Sequence, residues 1–152
     1  MSSDTATPPL LAQINLVVRD VHVASAFYRL LGLPMQPAAH PDWAAHHATA
    51  ILSNGTRLEL DSEAFAQQWD PGLSGRALGL PGGVIFFRVA SREEVDRVFE
   101  RMTNAGYPAH QQPEDAFWGA RYAIVEDPDG NAVGIMSEID NDKRRPPPPP
   151  PA

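Results

Sequence analysis

The sequence predicts an α+β fold of two βαβββ modules, related by a pseudo-twofold axis, with curled mixed sheets around a shared cleft. One observation is a repeated order of elements. Residues 12–35 contain an apolar run, a helix cap at Asp20, an amphipathic stretch and a stop at Gly32. Residues 84–108 repeat that order, with a cap at Ser91 and a stop at Gly106. A second observation is that each unit precedes a strand pair with its own turn, at residues 53–56 and 127–130.

The length of 152 residues suits one domain with a substantial core. We expect a flexible leader over residues 1–10, one domain over 11–138 and a flexible basic, polyproline tail over 139–152. Within the domain, module one spans 11–62, the crossover spans 63–82 and module two spans 83–138. Six consecutive prolines at 146–151 favour polyproline II. Such a tail can bind an aromatic groove of a partner or remain solvated, and composition favours the solvated tail.

Composition argues against several function classes. The net charge of −7, without a basic stripe, disfavours nucleic acid as a partner. The chain has no cysteine, so disulfide and thiolate chemistry are absent, which fits the cytoplasm. No apolar run approaches the roughly 20 residues of a membrane helix. We therefore expect a cytoplasmic protein without a membrane or nucleic-acid partner.

The turn at Asn54-Gly55 sets the expected register of the first hairpin. This dipeptide is a strong two-residue turn signal. Leu58 and Leu60 are the apolar set of the second strand, so they should face the helix. Glu59 and Asp61 should then face the shared cleft, because side chains alternate along a strand.

The same two-residue turn fixes the side chains on the strand opposite. It predicts that Ala48, Ala50 and His46 lie in the cleft and that His47 points the other way. Small alanines opposite an acid would leave room for a ligand or for a neighbouring side chain.

Two segments lie outside the repeated pattern. Residues 62–69 predict a short helix capped by Ser62, with Phe65 and Trp69 on one face. Residues 109–120 predict a long connection that carries Phe117 and Trp118. Connections of this length are usually functional or disordered, and the tryptophan argues against disorder.

Four segments together resemble one superfamily. They are Arg19-Asp20, Phe27-Tyr28 with Leu31-Gly32, Leu58-Glu59-Leu60, and above all the sequence Val-Glu-Asp-Pro-Asp-Gly-Asn at residues 125–131. In these segments the chain resembles the vicinal oxygen chelate superfamily of glyoxalase I, bleomycin-resistance proteins and extradiol dioxygenases. The resemblance covers residues 11–138. It implies paired βαβββ modules around a cleft, commonly in a homodimer.

The resemblance also implies where a metal would bind. In metal-dependent members, four cleft-facing positions bind a divalent ion, and they correspond here to Gln13, Glu59, Val84 and Gly134. Val84 and Gly134 have no ligand atoms. A glutamine carbonyl and one carboxylate would leave the ion mostly hydrated and weakly held. We therefore expect no bound metal and no other cofactor.

The candidate ligand-binding residues are polar groups on the cleft face and aromatic groups on loops beside it. They are Gln13, Asn15, Trp43, His46, Glu59, Trp69, Arg88, Phe117, Trp118 and Tyr122. Aromatic side chains on flanking loops can stack on planar ligands or close the ends of the sheets. An acid in a partly apolar cleft can anchor a cation or act as a base, but Glu59 could instead pair with Arg88.

These residues predict a metal-independent small-molecule-binding protein of the drug-binding or sequestering type, as in antibiotic resistance. The expected ligand is aromatic or cationic. One alternative is a glyoxalase-like lyase or isomerase in which Glu59 or Asp61 is the catalytic acid or base. Another alternative is an interaction scaffold that recruits a partner through its polyproline tail.

Overall fold

The computed structural model describes residues 7–73 and 78–151. Parts of the predicted leader (1–6), crossover (74–77) and tail (152) lie outside the described residues. The elements are β1 (Gln13–Val18), α1 (Val21–Leu31), β2 (Gln36–Pro37), β3 (His47–Ile51), β4 (Arg57–Ser62), α2 (Glu63–Trp69), β5 (Val84–Arg88), α3 (Arg92–Asn104), β6 (Ala109–Asp115), β7 (Arg121–Glu126) and β8 (Ala132–Met136).

The strands form two mixed sheets with the same internal order. The first sheet has the order β1-β4-β3-β2 and the second β5-β8-β7-β6. In each sheet the first and last strands of the module pair in parallel, and the other pairs are antiparallel. The predicted α+β class and the two βαβββ modules are therefore confirmed.

Local capping chemistry fixes the helix ends as the sequence predicts. Asp20 accepts a hydrogen bond from the backbone of Val23 at 3.0 Å at the start of α1. Gly32 ends that helix with a φ of 118°, in the left-handed region. Ser91 caps α3 in the same way. Ser62 caps α2, so the short helix predicted between the modules is also confirmed.

One hydrophobic core joins both modules. It contains the helix-facing residues of both sheets together with the apolar faces of α1 and α3. The ring of Phe27 on α1 lies 4.7 Å from that of Tyr107 and at 86° to it, an edge-to-face contact between the halves. No helix within 7–73 and 78–151 combines the length and apolarity that a membrane crossing needs.

A buried polar contact also joins the modules. Tyr28 of α1 donates a hydrogen bond at 2.7 Å to a side-chain oxygen of Asp127, which follows β7. Asn131 donates to the same oxygen at 2.8 Å and accepts from the backbone of Leu80 in the crossover at 2.8 Å. Burial, and then the charge of Asp127, raise the pKa of the Tyr28 phenol. The turn at 127–131 is thus an inter-module contact as well as a hairpin.

Ion pairs hold the start of α3 against the β6–β7 hairpin. Arg121 contacts Asp96 at 2.8 Å and Asp115 at 3.2 Å, and Arg92 also pairs with Asp115. Burial raises the pKa of the Asp115 carboxyl, but hydrogen bonds from the two arginines outweigh it. They hold that pKa below its ordinary value.

The first hairpin has a three-residue loop, not the two-residue turn that the sequence predicts. Leu52 donates its backbone N–H to the carbonyl of Thr56 at 2.8 Å, so residues 53–55 form the loop. Gly55 closes it with a φ of 87°. A turn followed by a left-handed glycine is a common alternative to the two-residue turn.

The longer loop shifts the register of β3 by one residue. Ala48 and Ala50 lie opposite Leu60 and Leu58 and are almost fully buried in the core, so their predicted cleft positions are wrong. His47 faces the other side of the sheet, where the sequence predicted His46. A one-residue shift moves every side chain of a strand to the opposite face.

Residues 109–115 are a strand rather than part of a long connection. This strand, β6, forms the edge of the second sheet and pairs with β7 through two register shifts, on either side of Gln111. Its sequence is polar and includes Pro113, which suits an edge strand. The strand signal was missed because β6 lacks the apolar alternation of a half-buried strand.

Candidate functional site

Glu59 and Asp61 lie on the face of the first sheet opposite α1, as their alternation with Leu58 and Leu60 predicts, while the two leucines enter the core. Asp61 is fully buried. One of its oxygens accepts from Asn15 Nδ2 at 2.8 Å, and the other lies 2.6 Å from His47 Nδ1. Gln13 extends this chain, because its amide donates to Asn15 Oδ1 at 2.8 Å.

Glu59 has a different set of partners. Its Oε1 accepts from Arg57 Nε at 2.9 Å, and its Oε2 accepts from the hydroxyl of Thr49. The same Oε2 lies 3.3 Å from Nε2 of His47. The alternative in which Glu59 pairs with Arg88 is wrong, because Glu59 pairs with Arg57 on the same strand and Arg88 pairs with Glu138. Sequence reasoning missed Arg57, although an i, i+2 pair shares one face of a strand.

The imidazole of His47 therefore lies between two buried carboxylates. Nδ1 faces Asp61, while Nε2 lies 3.1 Å from the hydroxyl of Thr49 and 3.3 Å from Oε2 of Glu59. A neutral ring can donate through only one nitrogen, whereas an imidazolium can donate through both. We call Gln13, Asn15, His47, Thr49, Arg57, Glu59 and Asp61 the polar cluster. Its carboxylate oxygens all have partners inside the protein, so a base function would first require one of these contacts to break.

The second sheet has different chemistry at the equivalent place. Asn15 lies opposite Glu59 in the first sheet, and Phe86 lies opposite Gly134 in the second. A Cβ at Gly134 would lie 2.2 Å from Cδ1 of Phe86, so the absence of a side chain makes room for this ring. An aromatic ring on glycine thus replaces the polar pair of module one.

The residues present do not fit the divalent metal of the superfamily. Val84 and Gly134 carry no donor atoms, and the ring of Phe86 covers Gly134. Both oxygens of Glu59 are already engaged. Among the described residues, no group of three or more His, Cys, Asp or Glu side chains is arranged to hold a metal ion.

Four aromatic side chains form a continuous line along the second sheet. The ring centroids are 6.2 Å apart for Phe86 and Tyr122, 5.1 Å for Tyr122 and Trp118, and 5.2 Å for Trp118 and Phe117. We call these four residues the aromatic row. Phe86 and Phe117, at its two ends, are 41% and 36% exposed, so the row can be reached from solvent.

Other predicted aromatic candidates lie elsewhere. Trp43 packs against Phe65 at 5.1 Å and against His46 at 6.0 Å, near the first sheet. His46 also hydrogen-bonds to Ser62 at 2.7 Å, outside the polar cluster. Trp69 lines a separate recess of about 150 Å³ beside Asn15. The sequence predicted these residues as one ligand-binding group, but in the structure they lie at several separate positions.

A cleft of about 820 Å³ opens between the modules, a volume that suits a small ligand. Its walls are the segment after α1, the tip of the β3–β4 hairpin and the end of β5: Leu31, Gly32, Leu33, Pro34, Ile51, Leu52, Ser53, Asn54, Phe86, Phe87, Arg88, Val89 and Ile135. Arg88 is the predicted site residue found here, and it forms a 3.5 Å ion pair with Glu138. Phe86 belongs both to this cleft and to the aromatic row.

The duplicated βαβββ modules point to one class of protein. The sequence pattern of the Glyoxalase/Bleomycin resistance protein/Dioxygenase superfamily matches residues 10–135. The chain therefore belongs to this superfamily, and the resemblance noted in the sequence is confirmed.

Individual relatives agree with this assignment. The uncharacterized protein YraH of Bacillus subtilis is 32% identical over 133 residues, which cover 82% of this chain and 95% of that protein. A glyoxalase-related enzyme from Fulvimarina pelagi has a similar structure, with a TM-score of 0.69 and 22% identity over 85% of this chain and 88% of that one. The lactoylglutathione lyase of Agrobacterium tumefaciens has a TM-score of 0.63 and 22% identity, over 87% and 96% of the two chains. At 22% identity, the similarity to these two solved structures shows a shared fold alone.

Proposed function

We propose that this chain is a small-molecule-binding member of the superfamily, of the drug-binding or sequestering type, acting without a metal. The observation that carries the proposal is the aromatic row, with Phe86 lying on Gly134 where metal-dependent members would have a ligand. Aromatic rings supply large apolar area with few internal rotations. Such a surface suits a planar ligand better than a hydrated ion.

The adjoining cleft supports the same proposal. Its walls combine apolar side chains with a comparable share of polar surface, in which Ser53, Asn54 and Arg88 are side chains that could orient a ligand. Small-molecule sites commonly combine apolar walls with a few polar groups. Phe86 at the shared edge lets one ligand contact both the cleft and the row.

A second candidate function is a lyase or isomerase, and the polar cluster favours it. His47 has a quarter of its side chain exposed and lies between the buried carboxylates of Glu59 and Asp61. A histidine held by carboxylates can transfer protons. The neighbour named lactoylglutathione lyase suggests the reaction to assay first. The internal contacts of both acids make this the weaker proposal.

Titration separates the two candidates. Purified protein should bind planar aromatic compounds up to one ligand per site in calorimetry, without consuming them. Phe86→Ala should weaken binding by roughly 1–3 kcal/mol, the scale of one large buried aromatic contact. Glu59→Gln should leave a neutral ligand almost unaffected. Catalytic turnover that Glu59→Gln abolishes would instead establish the enzyme.

Three further parts of the proposal have their own tests. Elemental analysis should find no stoichiometric zinc, nickel, manganese or iron, and lactoylglutathione lyase activity should be absent. We propose a homodimer, which light scattering after size-exclusion chromatography can test. We also propose a role in antibiotic resistance within the cytoplasm, which requires that expression protect cells in proportion to the amount of protein.

A further inference from the structure

The beginning of the tail is held against the β6–β7 hairpin by backbone contacts. The N–H of Asp140 donates to the carbonyl of Gly119 at 3.0 Å, and that of Arg145 donates to the carbonyl of Phe117 at 2.8 Å. The guanidinium of Arg145 donates to the backbone oxygen of Asp115 at 2.7 Å. A Cβ at Gly119 would lie 2.4 Å from the oxygen of Asp140, so the two segments touch at the backbone.

These contacts place the first prolines of the tail beside the end of the aromatic row. A recess of about 360 Å³ lies between them, lined by Glu114, Ala116, Phe117, Trp118, Tyr122, Arg145, Pro146 and Pro148. Trp118 and Tyr122 are tilted by 37° to each other, so their faces form a shallow wall. Pro146 and Pro148 line the same recess from the tail.

We infer that the polyproline tail is part of a binding site, in which Pro146 and Pro148 form one wall of a pocket for a planar aromatic ligand and Trp118 and Tyr122 form the other. The inference rests on the proposed function, because the pocket continues the aromatic row. It assigns a binding role within the same chain to a segment that otherwise resembles a solvated appendage.

The composition of the two walls supports this ligand class. Proline rings are rigid and apolar, and a polyproline segment has little conformational entropy to lose when a ligand orders it. Trp118 and Tyr122 offer ring faces for stacking. Glu114 at the rim lies near enough to Tyr122 for its charge to raise the pKa of that phenol, after burial. Because Glu114 and Arg145 both line the recess, the preference for a planar cation as a probe rests on the ring faces of Trp118 and Tyr122.

The experiment uses the full-length chain with Trp43 and Trp69 replaced by phenylalanine. Trp118 is then the single tryptophan, because the sequence contains three. The probe is 9-aminoacridine, a planar cation, and 1-adamantanamine is a cation of similar size that is not planar. We expect saturable quenching of Trp118 by 9-aminoacridine, and we expect that 1-adamantanamine, which has no chromophore, does not displace 9-aminoacridine in a competition titration. Equal binding of both probes would overturn the assignment to a planar ligand.

Two paired tail variants test the wall itself. Pro146→Ala with Pro148→Ala should raise the dissociation constant of 9-aminoacridine roughly five- to tenfold, the scale of losing one aromatic-type contact. Pro149→Ala with Pro150→Ala gives a tail of the same length and composition as the first variant and should change the dissociation constant less than twofold. Unchanged or tighter binding in the variant with Pro146→Ala and Pro148→Ala would overturn the inference. The tail would then either make no contribution to binding or occupy the site in place of the ligand.

Phe86→Ala separates failure of this inference from failure of the proposed function. Phe86 belongs to the aromatic row and does not line the recess. Weaker binding in Phe86→Ala together with normal binding in the Pro146 and Pro148 variant would agree with the proposed function. It would contradict only the inference that the tail takes part in binding. Absence of Trp118 quenching in the chain that carries only the Trp43→Phe and Trp69→Phe changes would overturn both.

Discussion

Replacing Tyr28 with phenylalanine tests the contact that joins the two modules. Tyr28 is fully buried, and its hydroxyl donates to Asp127 at 2.7 Å. A hydrogen bond to a charged group contributes about 1.5–3 kcal/mol to stability. Asp127 would keep the backbone amides of Asp129 and Asn131 and the side chain of Asn131 as donors. We therefore expect the lower half of that range, about 1.5–2 kcal/mol, because no buried acceptor is left without a partner.

Urea unfolding at neutral pH measures this loss as a lower midpoint with an unchanged slope. Tyr107→Phe is the matched control. Its ring also packs on Phe27, at 4.7 Å, and its hydroxyl has no protein partner among the residues the structure describes. The control should change stability by less than about 0.5 kcal/mol. Equal effects of the two substitutions would refute the argument that the Tyr28 hydroxyl links the modules.

Three other predictions follow from particular contacts. His47→Ala should destabilise the protein by about 2–4 kcal/mol because it leaves one oxygen of the buried Asp61 carboxylate without a hydrogen-bond partner. His46→Ala should cost under about 1 kcal/mol, and denaturant midpoints in the reverse order would support the two-residue turn that the sequence predicts. Gly134→Ala should displace the ring of Phe86 and cost about 1–3 kcal/mol, and most of this cost should vanish in a Phe86→Ala background, as a double-mutant cycle can measure. The lowered pKa of Asp115 means that its contribution is present above its unfolded-state pKa and is lost as pH falls through its folded-state pKa, so Asp115→Asn should flatten this part of the acid-unfolding curve.

Local sequence signals predicted the fold well. Asp20 and Ser91 cap their helices, and Gly32 and Gly106 adopt the positive φ values that end them. Each of these signals acts within a few residues, so it does not depend on the rest of the chain. The alternation along β4 was equally clear, because its leucines have to enter the core.

The candidate site was harder to predict because its geometry depends on contacts between distant residues. A change from a two-residue to a three-residue loop at Gly55 exchanged His46 for His47 and moved two alanines into the core. Both loops suit Asn54-Gly55, and the packing of β3 against the rest of the sheet selects between them. The pairing of Arg57 with Glu59 was missed for a related reason. Two arginines, Arg57 on the same strand and Arg88 on a distant one, were possible partners of Glu59, and only the folded structure selects Arg57.

The sequence by itself determined the duplicated modules, the helix ends, the superfamily and the absence of ligand atoms at Val84 and Gly134. Only the tertiary structure decided that the acids are enclosed in the polar cluster, that Phe86 covers Gly134 and that prolines of the tail line a recess together with Trp118. The physical reason is the range of the interactions. Capping and alternation are written in consecutive residues, whereas the partners of a buried charge or an aromatic ring come from whichever segments the packed core brings together.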